Sequence, residues 1–472
     1  MAMHVKLLEP MELRGDWWLA STPDYKVPGT MSFEPKKDIT VELDGTLMRN
    51  HHGIYQKWPV VHGETRDGIP CSLMRVLEQS KSIGSHKTSS RISADYGLLG
   101  VLFSSAEETV FRSGAVDYTD LTAWMGRRPF DQDLNFDSAK DPLVTISYTK
   151  PRIVRYSVHQ HAFTLKFGAW FSYGNPTFRD ITMEYGESAV LRPKRSQSVF
   201  WFLDRFRQLR NLLSLLMAEP VFIEHISLEF ASHLNKDMGR MIKDHAQLLI
   251  CQRDYEQKSQ FLHFFDMPLP YPVVKKFLRN ILEIWFSRYD ALKPTYDLFF
   301  LPIYNRHLNI EFQFLGLVQA LEAFHRIKYA GTYLTSGKYD GVRTVLTNCI
   351  PLDIPSDLRA ALESRLKYGN EHSLRKRLKQ MARSLSRESA DLIDPTLRSF
   401  LGRVVDTRNY LTHHDDTLAS EAMPVPDMLE ANSALRLFLT LLIFKEIGIP
   451  EAVARDAISK TSRLGRSEAV VW

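Results

Sequence analysis

The chain has 472 residues, of which 44% are apolar and 24% are charged, and its net charge is +5. This composition is that of an ordinary globular protein, and the length exceeds what one hydrophobic core usually holds, so two or three domains are expected. The longest apolar run, residues 435–449, is interrupted by Arg436 and Lys445, which argues against a transmembrane helix.

The chain up to about residue 195 alternates apolar and polar side chains in the way that indicates β-strands. Residues 29–33 and 39–43 alternate and are joined by Glu-Pro-Lys-Lys-Asp, which predicts a hairpin. Further alternating segments follow at residues 144–148, 163–173 and 181–185. Such short strands predict an antiparallel sandwich or barrel-like sheet. We expect the aromatic rings of Trp17 and Trp18 to pack in its core or at its rim.

After Pro193 the apolar residues recur every three or four positions, which is typical of helices. Helices are predicted at residues 200–217, 273–289, 311–328, 358–367, 373–386, 396–412 and 427–447, with an extended piece at 221–230. The whole pattern predicts an α+β protein in three parts. These are a β-rich, antiparallel, sandwich-like domain at 1–195, a mixed and mostly helical connecting region at 196–300, and a helical domain at 301–472.

The most informative motif places Arg408 and Asn409 shortly before His413 and His414 in one predicted helix. An arginine can stabilise the charge of a phosphorane, and a histidine, with an ordinary pKa near 6.5, can transfer a proton at cellular pH. Together they are the minimum set for cleaving RNA without a metal.

The Arg-x4-His spacing alone is weak, because a chain with 16 histidines is expected to contain such a match by chance. Arg240 and His245 have the same spacing. The apolar residues around them predict an ordinary amphipathic helix, so we do not consider them catalytic.

The helix predicted at 373–386 carries basic side chains and no acidic one. The basic residues are Arg375, Lys376, Arg377, Lys379, Arg383 and, just beyond, Arg387. This run is either a solvated helix face or a track for a phosphate backbone, and the second interpretation makes the first five candidate RNA contacts.

The remaining sequence features exclude several classes of protein. The three cysteines, Cys71, Cys251 and Cys349, are scattered, which argues against a disulfide framework or a zinc site and fits a reducing cytoplasm. The N-terminus lacks the apolar segment of a signal peptide. No cluster of carboxylates or histidines has metal-ligand spacing, so neither a metal nor a cofactor is expected.

Two stretches resemble one known family. Residues 15–19, Gly-Asp-Trp-Trp-Leu, followed by 27–33, Val-Pro-Gly-Thr-Met-Ser-Phe, resemble the opening of the ApeA-type N-terminal domain. Residues 319–326, Gln-Ala-Leu-Glu-Ala-Phe-His-Arg, together with Arg408-Asn409 and His413, resemble the HEPN domain paired with it. The resemblance implies a C-terminal HEPN bundle in a bacterial abortive-infection factor that acts against phage.

The same resemblance implies a metal-independent endoribonuclease that leaves a 2′,3′-cyclic phosphate and a 5′-hydroxyl. Arg408 would bind the scissile phosphate and His413 would be the acid or base. Asn409 would orient the histidine or the phosphate, and Glu322 would hold Arg408 in place. His414 also satisfies the family spacing. We prefer His413 because it follows Asn409 by four residues and so shares its helix face.

The expected partners are an RNA, such as a tRNA, and at least one further copy of the chain, because HEPN dimers usually juxtapose two motifs across a two-fold axis. The N-terminal domain would restrain or trigger the enzyme, in response to a phage-derived signal. Two alternatives remain open. The bundle is a non-catalytic module that binds RNA, nucleotide or protein, or Arg408 and Glu322 form an ion pair that only ties two helices.

Overall fold

The computed structural model describes residues 5–48, 55–83, 88–103, 111–135, 144–174, 179–231, 245–257, 262–413, 417 and 419–461. The chain divides into two compact units, residues 1–287 and 288–472. The strands lie in the first unit and most of the helices lie in the second, so the predicted α+β fold with a β-rich front and a helical back is confirmed.

The first unit is built from antiparallel strands and a few helices. The strands are β1 (Met11–Leu19), β2 (Val27–Phe33), β3 (Ile39–Leu43), β4 (Lys57–Thr65), β5 (Pro70–Ile83), β6 (Thr88–Leu99), β7 (Phe111–Tyr118), β8 (Phe130–Leu134), β9 (Val144–Tyr148), β10 (Val154–Val158), β11 (Phe163–Tyr173), β12 (Met183–Pro193), β13 (Ile223–Phe230) and β14 (His245–Ile250). The helices are α1 (Leu121–Met125), α2 (Val199–Met217) and α3 (Tyr271–Val274).

The first six strands close into a barrel. β1 pairs with β2, β2 with β3, β3 with β6, β6 with β5, β5 with β4, and β4 returns to β1. Its interior contains Trp17, Met31 and Phe33, which are fully buried, and Trp18, on the opposite face of β1, is also buried. The prediction that these tryptophans serve packing is confirmed.

The sheet continues beyond the barrel through the second half of β6, which pairs with β14. From there the strand order is β14, β13, β7, β12, β11 and β10, while β8 and β9 form a separate hairpin. The helix α2 lies against β7, where a Cβ on Gly114 would overlap the ring of Phe202. The stretch 196–300, expected to connect two domains, thus supplies α2, β13 and β14 to the first unit.

The prediction of a helix around His245 is wrong, because His245–Ile250 is the strand β14. The apolar run Leu248-Leu249-Ile250 is buried where β14 lies between β13 and β6. A short apolar run of this kind has no period that separates a buried strand from a buried helix. Arg240 lies outside the described residues.

The second unit is helical. Its helices are α4 (Leu278–Tyr304), which begins in the first unit, α5 (Ile310–Lys328), α6 (Ser336–Asn348), α7 (Ser356–Tyr368), α8 (Leu374–Arg383), α9 (Arg387–Ile393), α10 (Leu397–His413), α11 (Val425–Glu446) and α12 (Glu451–Ser459). The helix predicted at 373–386 ends early, because Ser386 caps the separate helix α9 by accepting a hydrogen bond from the amide of Ser389.

The central helix of this unit is α11, in which every residue from Leu437 to Phe444 is buried. A helix that is apolar on all sides must be covered by other protein on all sides. The apolar run 435–449 noted in the sequence therefore belongs to the core of the helical unit. Among the described helices, none combines the length and the apolar character that crossing a membrane requires.

The helix α5 runs parallel to α11. The Nδ2 of Asn432 donates to the carbonyl oxygen of Ile310 at 3.0 Å near the start of both helices, and Lys328 pairs with Glu446 near the end of both. Positions along α5 can therefore be compared directly with positions along α11.

Candidate active site

The helix α10 carries the Arg408–His413 motif. One face of this helix is buried through Phe400, Leu401, Val404, Val405 and Thr407. The Thr407 hydroxyl accepts a hydrogen bond from the backbone N–H of Met423 at 3.0 Å, which ties the C-terminal half of α10 to the segment before α11. The residues after Thr407 form the last turns of α10, and the helix ends at His413.

Arg408, Asn409 and His413 lie at this end of α10. Arg408 and Asn409 are half-buried, and the Nη1 of Arg408 donates to the Oδ1 of Asn409 at 3.2 Å. The imidazole of His413 is exposed, one turn beyond Asn409. The helix thus offers a guanidinium steadied by an amide and an imidazole open to solvent. His414, the alternative histidine, lies outside the described residues.

The structure does not form the expected pair between Glu322 and Arg408. The carboxylate of Glu322 pairs with Arg326, one turn further along the same helix, at 3.1 Å. The guanidinium of Arg408 instead donates to the neighbouring Asn409 of its own helix.

Glu322 instead belongs to a partly buried polar network around His325. Arg326 contacts the carboxylate of Glu371 at 2.8 Å, and the Nη2 of Arg377 donates to the same Glu371 oxygen at 3.0 Å. The Nη1 of Arg377 lies 3.2 Å from the Nδ1 of His325. His325 has no exposed surface, and Arg377 is only 2% exposed.

This network determines the tautomer of His325. A guanidinium only donates hydrogen bonds, so the Nδ1 of His325 must accept from Arg377, and its Nε2–H must donate to the Oε1 of Gln380, 2.9 Å away. Burial lowers the pKa of His325; the hydrogen bond to Gln380 acts against this, and the positive charge of Arg377 adds to it. His325 is therefore held neutral.

The buried position of Arg377 overturns its assignment as an RNA contact. The signal was present in the sequence, because Arg377 stands at helical spacing with Leu374, Leu378 and Met381, which are on the inward side of α8. A position in the apolar stripe of an otherwise basic helix indicates a buried arginine rather than a surface one.

The other basic residues of α8 have different surroundings. Arg375 binds Asp406 of α10 at 2.7 Å, and the ammonium of Lys376 lies 3.7 Å from the ring centroid of Tyr333. Lys379 is half-buried and Arg383 is exposed, and neither forms an ion pair with a described side chain. Arg375, Lys376, Lys379 and Arg383 therefore stay predicted RNA contacts, although Arg375 and Lys376 are already engaged by protein groups.

Within the described part of the chain, no group of three or more histidine, cysteine, aspartate or glutamate side chains could hold a metal ion. The three cysteines are free thiols, and burial raises the pKa of Cys71 to about 12.

The two halves of the chain match two family models in this order. Residues 12–285 match the ApeA N-terminal domain 1, and residues 315–453 match the Apea-like HEPN domain. The first match covers β1 to β14, and the second contains α10 with Arg408 and His413. No curated protein and no solved structure matches the chain significantly.

The fold and the motif helix therefore define a HEPN protein with a β-rich N-terminal domain. The chain belongs to the ApeA-like family.

Proposed function

We propose that the protein is an endoribonuclease of anti-phage abortive infection that cleaves RNA without a metal ion. The observation that carries this proposal is the end of α10. There Arg408, steadied by Asn409, and the exposed His413 lie within a match to the Apea-like HEPN domain. Arginine and histidine supply the phosphate binding and the proton transfer that the reaction needs.

In the proposed reaction, the ribose 2′-oxygen attacks the adjacent phosphorus atom, and the bond from phosphorus to the 5′-oxygen breaks. A base removes the proton of the 2′-hydroxyl, and an acid gives a proton to the departing 5′-oxygen. The products are a 2′,3′-cyclic phosphate and a 5′-hydroxyl. Arg408 stabilises the negative charge on the phosphorane oxygens, and His413 is the base or the acid.

One chain supplies one His413, whereas this reaction uses both a base and an acid. We therefore infer that the active form is at least a homodimer through the HEPN domain, which brings two copies of the motif to one cleft. The N-terminal domain restrains or triggers this activity in response to a phage-derived signal. The enzyme acts in the cytoplasm on RNA, with a structured RNA such as tRNA as the proposed substrate.

The test replaces Arg408 and His413 separately by Ala in the full-length protein. Both side chains are at least partly exposed, so each variant should keep its melting temperature within a few degrees and lose cleavage by roughly 100-fold or more. Arg398→Ala, which removes an exposed arginine from the same helix, is the matched control and should cleave normally. Normal cleavage by both the Arg408 and the His413 variants would reject the site.

The variant His414→Ala is measured in the same experiment. If His413→Ala retains activity and His414→Ala loses it, the motif is retained and the histidine assignment moves by one residue.

One observation favours a second candidate, a non-catalytic module that binds RNA. Glu322 is engaged by Arg326, so among the described side chains the guanidinium of Arg408 has only Asn409 as a hydrogen-bond partner. Salt-sensitive RNA binding with no cyclic-phosphate product would support this second function.

A further inference from the structure

Tyr333, in the segment between α5 and α6, presents an exposed aromatic ring beside the basic helix α8. Its side chain is 53% exposed. The ammonium group of Lys376 lies 3.7 Å from the ring centroid, and the imidazole of His372 packs against the ring nearly at a right angle, with the two centroids 4.8 Å apart. The ring therefore belongs to the same surface as the first turn of α8.

The backbone at Tyr333 is held in place by hydrogen bonds. The N–H of Tyr333 donates to the carbonyl oxygen of Asn370 at 2.9 Å. The side chain of Asn370 forms two hydrogen bonds with the backbone of the next residue, Leu334, at 2.8 and 2.9 Å. An aromatic ring on a fixed backbone loses little conformational freedom when a ligand binds to it. Tyr333 is thus a preorganised contact surface.

The basic side chains of α8 continue from this ring along one side of the helix. Lys376, Lys379 and Arg383 stand at positions i, i+3 and i+7, so they form one row, which we call the basic stripe. The stripe rises about 10 Å from its first residue to its last. Between Glu371 and Glu388 the chain has no acidic residue, so the helix itself offers this stripe no carboxylate.

The carboxylates that flank α8 are bound by other basic groups. These carboxylates and their partners are Glu371 with Arg326 and Arg377, Glu388 with Arg455, and Glu451 with Lys445. In the described part of the chain, no carboxylate forms an ion pair with the basic stripe. Its positive charge is therefore available to an anion such as a phosphate backbone.

The helix α8 is joined to the helix that carries the motif. Arg375, the neighbour of Lys376, binds Asp406 of α10 at 2.7 Å. Asn409 and His413 follow Asp406 by three and seven residues, so they lie on the same side of α10, with His413 about 10 Å beyond Asp406 along the helix. The first turn of α8 therefore faces the side of α10 on which His413 lies.

We propose that Tyr333 stacks on an unpaired base of the RNA substrate while the basic stripe binds the backbone of the same strand. Proteins bind single strands by combining aromatic rings with a positively charged surface, because every base has a π face. Stacking of a base on an aromatic ring is stronger than a cation–π contact at an exposed site. A base can therefore take the place of the Lys376 ammonium, which then becomes available to a phosphate.

This surface selects unpaired nucleotides. In a duplex the bases are stacked on each other and do not reach an aromatic side chain, whereas the bases of a loop can be turned outward. The inference rests on the proposed function and deepens it, because it names the substrate as RNA with a loop or another single-stranded segment.

The test measures the binding of a labelled single-stranded RNA to the full-length protein by fluorescence anisotropy. The protein carries His413→Ala and His414→Ala so that the RNA is not cut. Tyr333→Ala in this parent should raise the dissociation constant about tenfold, and Tyr333→Phe should bind like the parent because it keeps the ring. Tyr55→Ala removes an exposed tyrosine from the first unit and is the matched control, which should also bind like the parent.

The salt dependence of binding separates stacking from charge. Lys376→Ala should reduce the slope of the logarithm of Kd against the logarithm of the salt concentration by about 0.7, the value for one phosphate contact on a single strand. Tyr333→Ala should leave this slope unchanged, because the ring carries no charge. An equal loss of slope in both variants would overturn the stacking role of Tyr333.

A duplex RNA of the same sequence tests the selection of unpaired nucleotides. The parent should bind the single strand about tenfold more tightly than the duplex, and Tyr333→Ala should reduce this difference. Equal binding of the single strand and the duplex, absence of RNA binding, or an unchanged dissociation constant for Tyr333→Ala would overturn the proposal. If Tyr333→Ala weakens binding but the wild type does not cleave RNA, the nuclease fails and this binding site stands, so the two failures are distinguishable.

Discussion

Arg377 and Arg383 lie on one basic helix but have opposite surroundings. Arg377 is enclosed with His325 and Glu371, whereas Arg383 is exposed. Arg377→Ala leaves the buried Nδ1 of His325 without its donor and removes one of the two guanidinium groups that bind Glu371, so the free energy of unfolding in urea should fall by about 2 kcal/mol. Arg383→Ala should change it by no more than about 0.5 kcal/mol.

The same pair of variants tests the revised RNA surface. Arg383→Ala should weaken RNA binding and reduce its salt dependence, because an exposed arginine binds phosphate through counterion release. If Arg377→Ala lowers the free energy of unfolding no more than Arg383→Ala does, the contacts of Arg377 with His325 and Glu371 do not stabilise the fold.

His325 makes the stability of the second unit depend on pH. Its pKa in the folded chain is lowered from 6.5, so below pH 6.5 the unfolded chain binds more protons than the folded one. The stability that depends on neutral His325 is present above this pH and is lost as the pH falls toward the lowered pKa. Melting temperatures measured from about pH 7.5 to about pH 5.5 should therefore decline.

His325→Gln is the comparison for this experiment. It removes the titrating imidazole, so its melting temperature should be lower at neutral pH and should change less over the same pH range. A variant that keeps the full pH dependence of the wild type would show that another group is responsible.

At the scale of single elements, the barrel strands explain part of the segment Gly-Asp-Trp-Trp-Leu at residues 15–19. The sequence alone could only show that this segment resembles the ApeA-type N-terminal domain. A Cβ on Gly15 would overlap the carbonyl oxygen of Glu64 on β4, and a Cβ on Gly63 would overlap the ring of Trp17. Gly15 and Gly63, which lies opposite Trp17, are therefore required by the close approach of β1 and β4. Glycine inside a strand often marks such an approach.

Gly15→Ala should consequently destabilise the first unit by about 1–3 kcal/mol, since the obstructing atoms are backbone and cannot move aside. Gly168→Ala in β11 is the control, because the nearest atom to its Cβ, the Cγ1 of Ile153, is 4.0 Å away. Equal unfolding midpoints for the two variants in a denaturant titration would contradict the close approach.

The elements with a long, regular period could be predicted from the sequence. The helix predicted at 396–412 is α10, Leu397–His413, because its apolar residues recur every three or four positions along its whole length. The strand β14 could not be predicted, since its six residues are too few to establish a period. Glu322 was assigned to Arg408 through the family resemblance, although Arg326, four residues further along α5, stands at the spacing that favours an ion pair within one helix.

At the scale of the whole molecule, the order of a β-rich part before a helical part follows from the change of period after Pro193. The closure of the barrel does not. It depends on β6 pairing with both β3 and β5 and on β4 returning to β1, and the pairing of β6 with β14, more than a hundred residues later, extends the sheet beyond the barrel. Pairings over such distances are set by tertiary packing and leave no signal in the alternation of any one strand.

The proposed chemistry at Arg408 and His413 is most directly tested by the ends of the RNA fragments. The purified full-length protein and its His413→Ala variant are incubated with total cellular RNA in excess chelator, and the termini of the products are mapped. The wild type should produce fragments with 2′,3′-cyclic phosphate and 5′-hydroxyl ends, and the variant should not. Cleavage that stops in chelator, or products with 5′-phosphate ends, would contradict it.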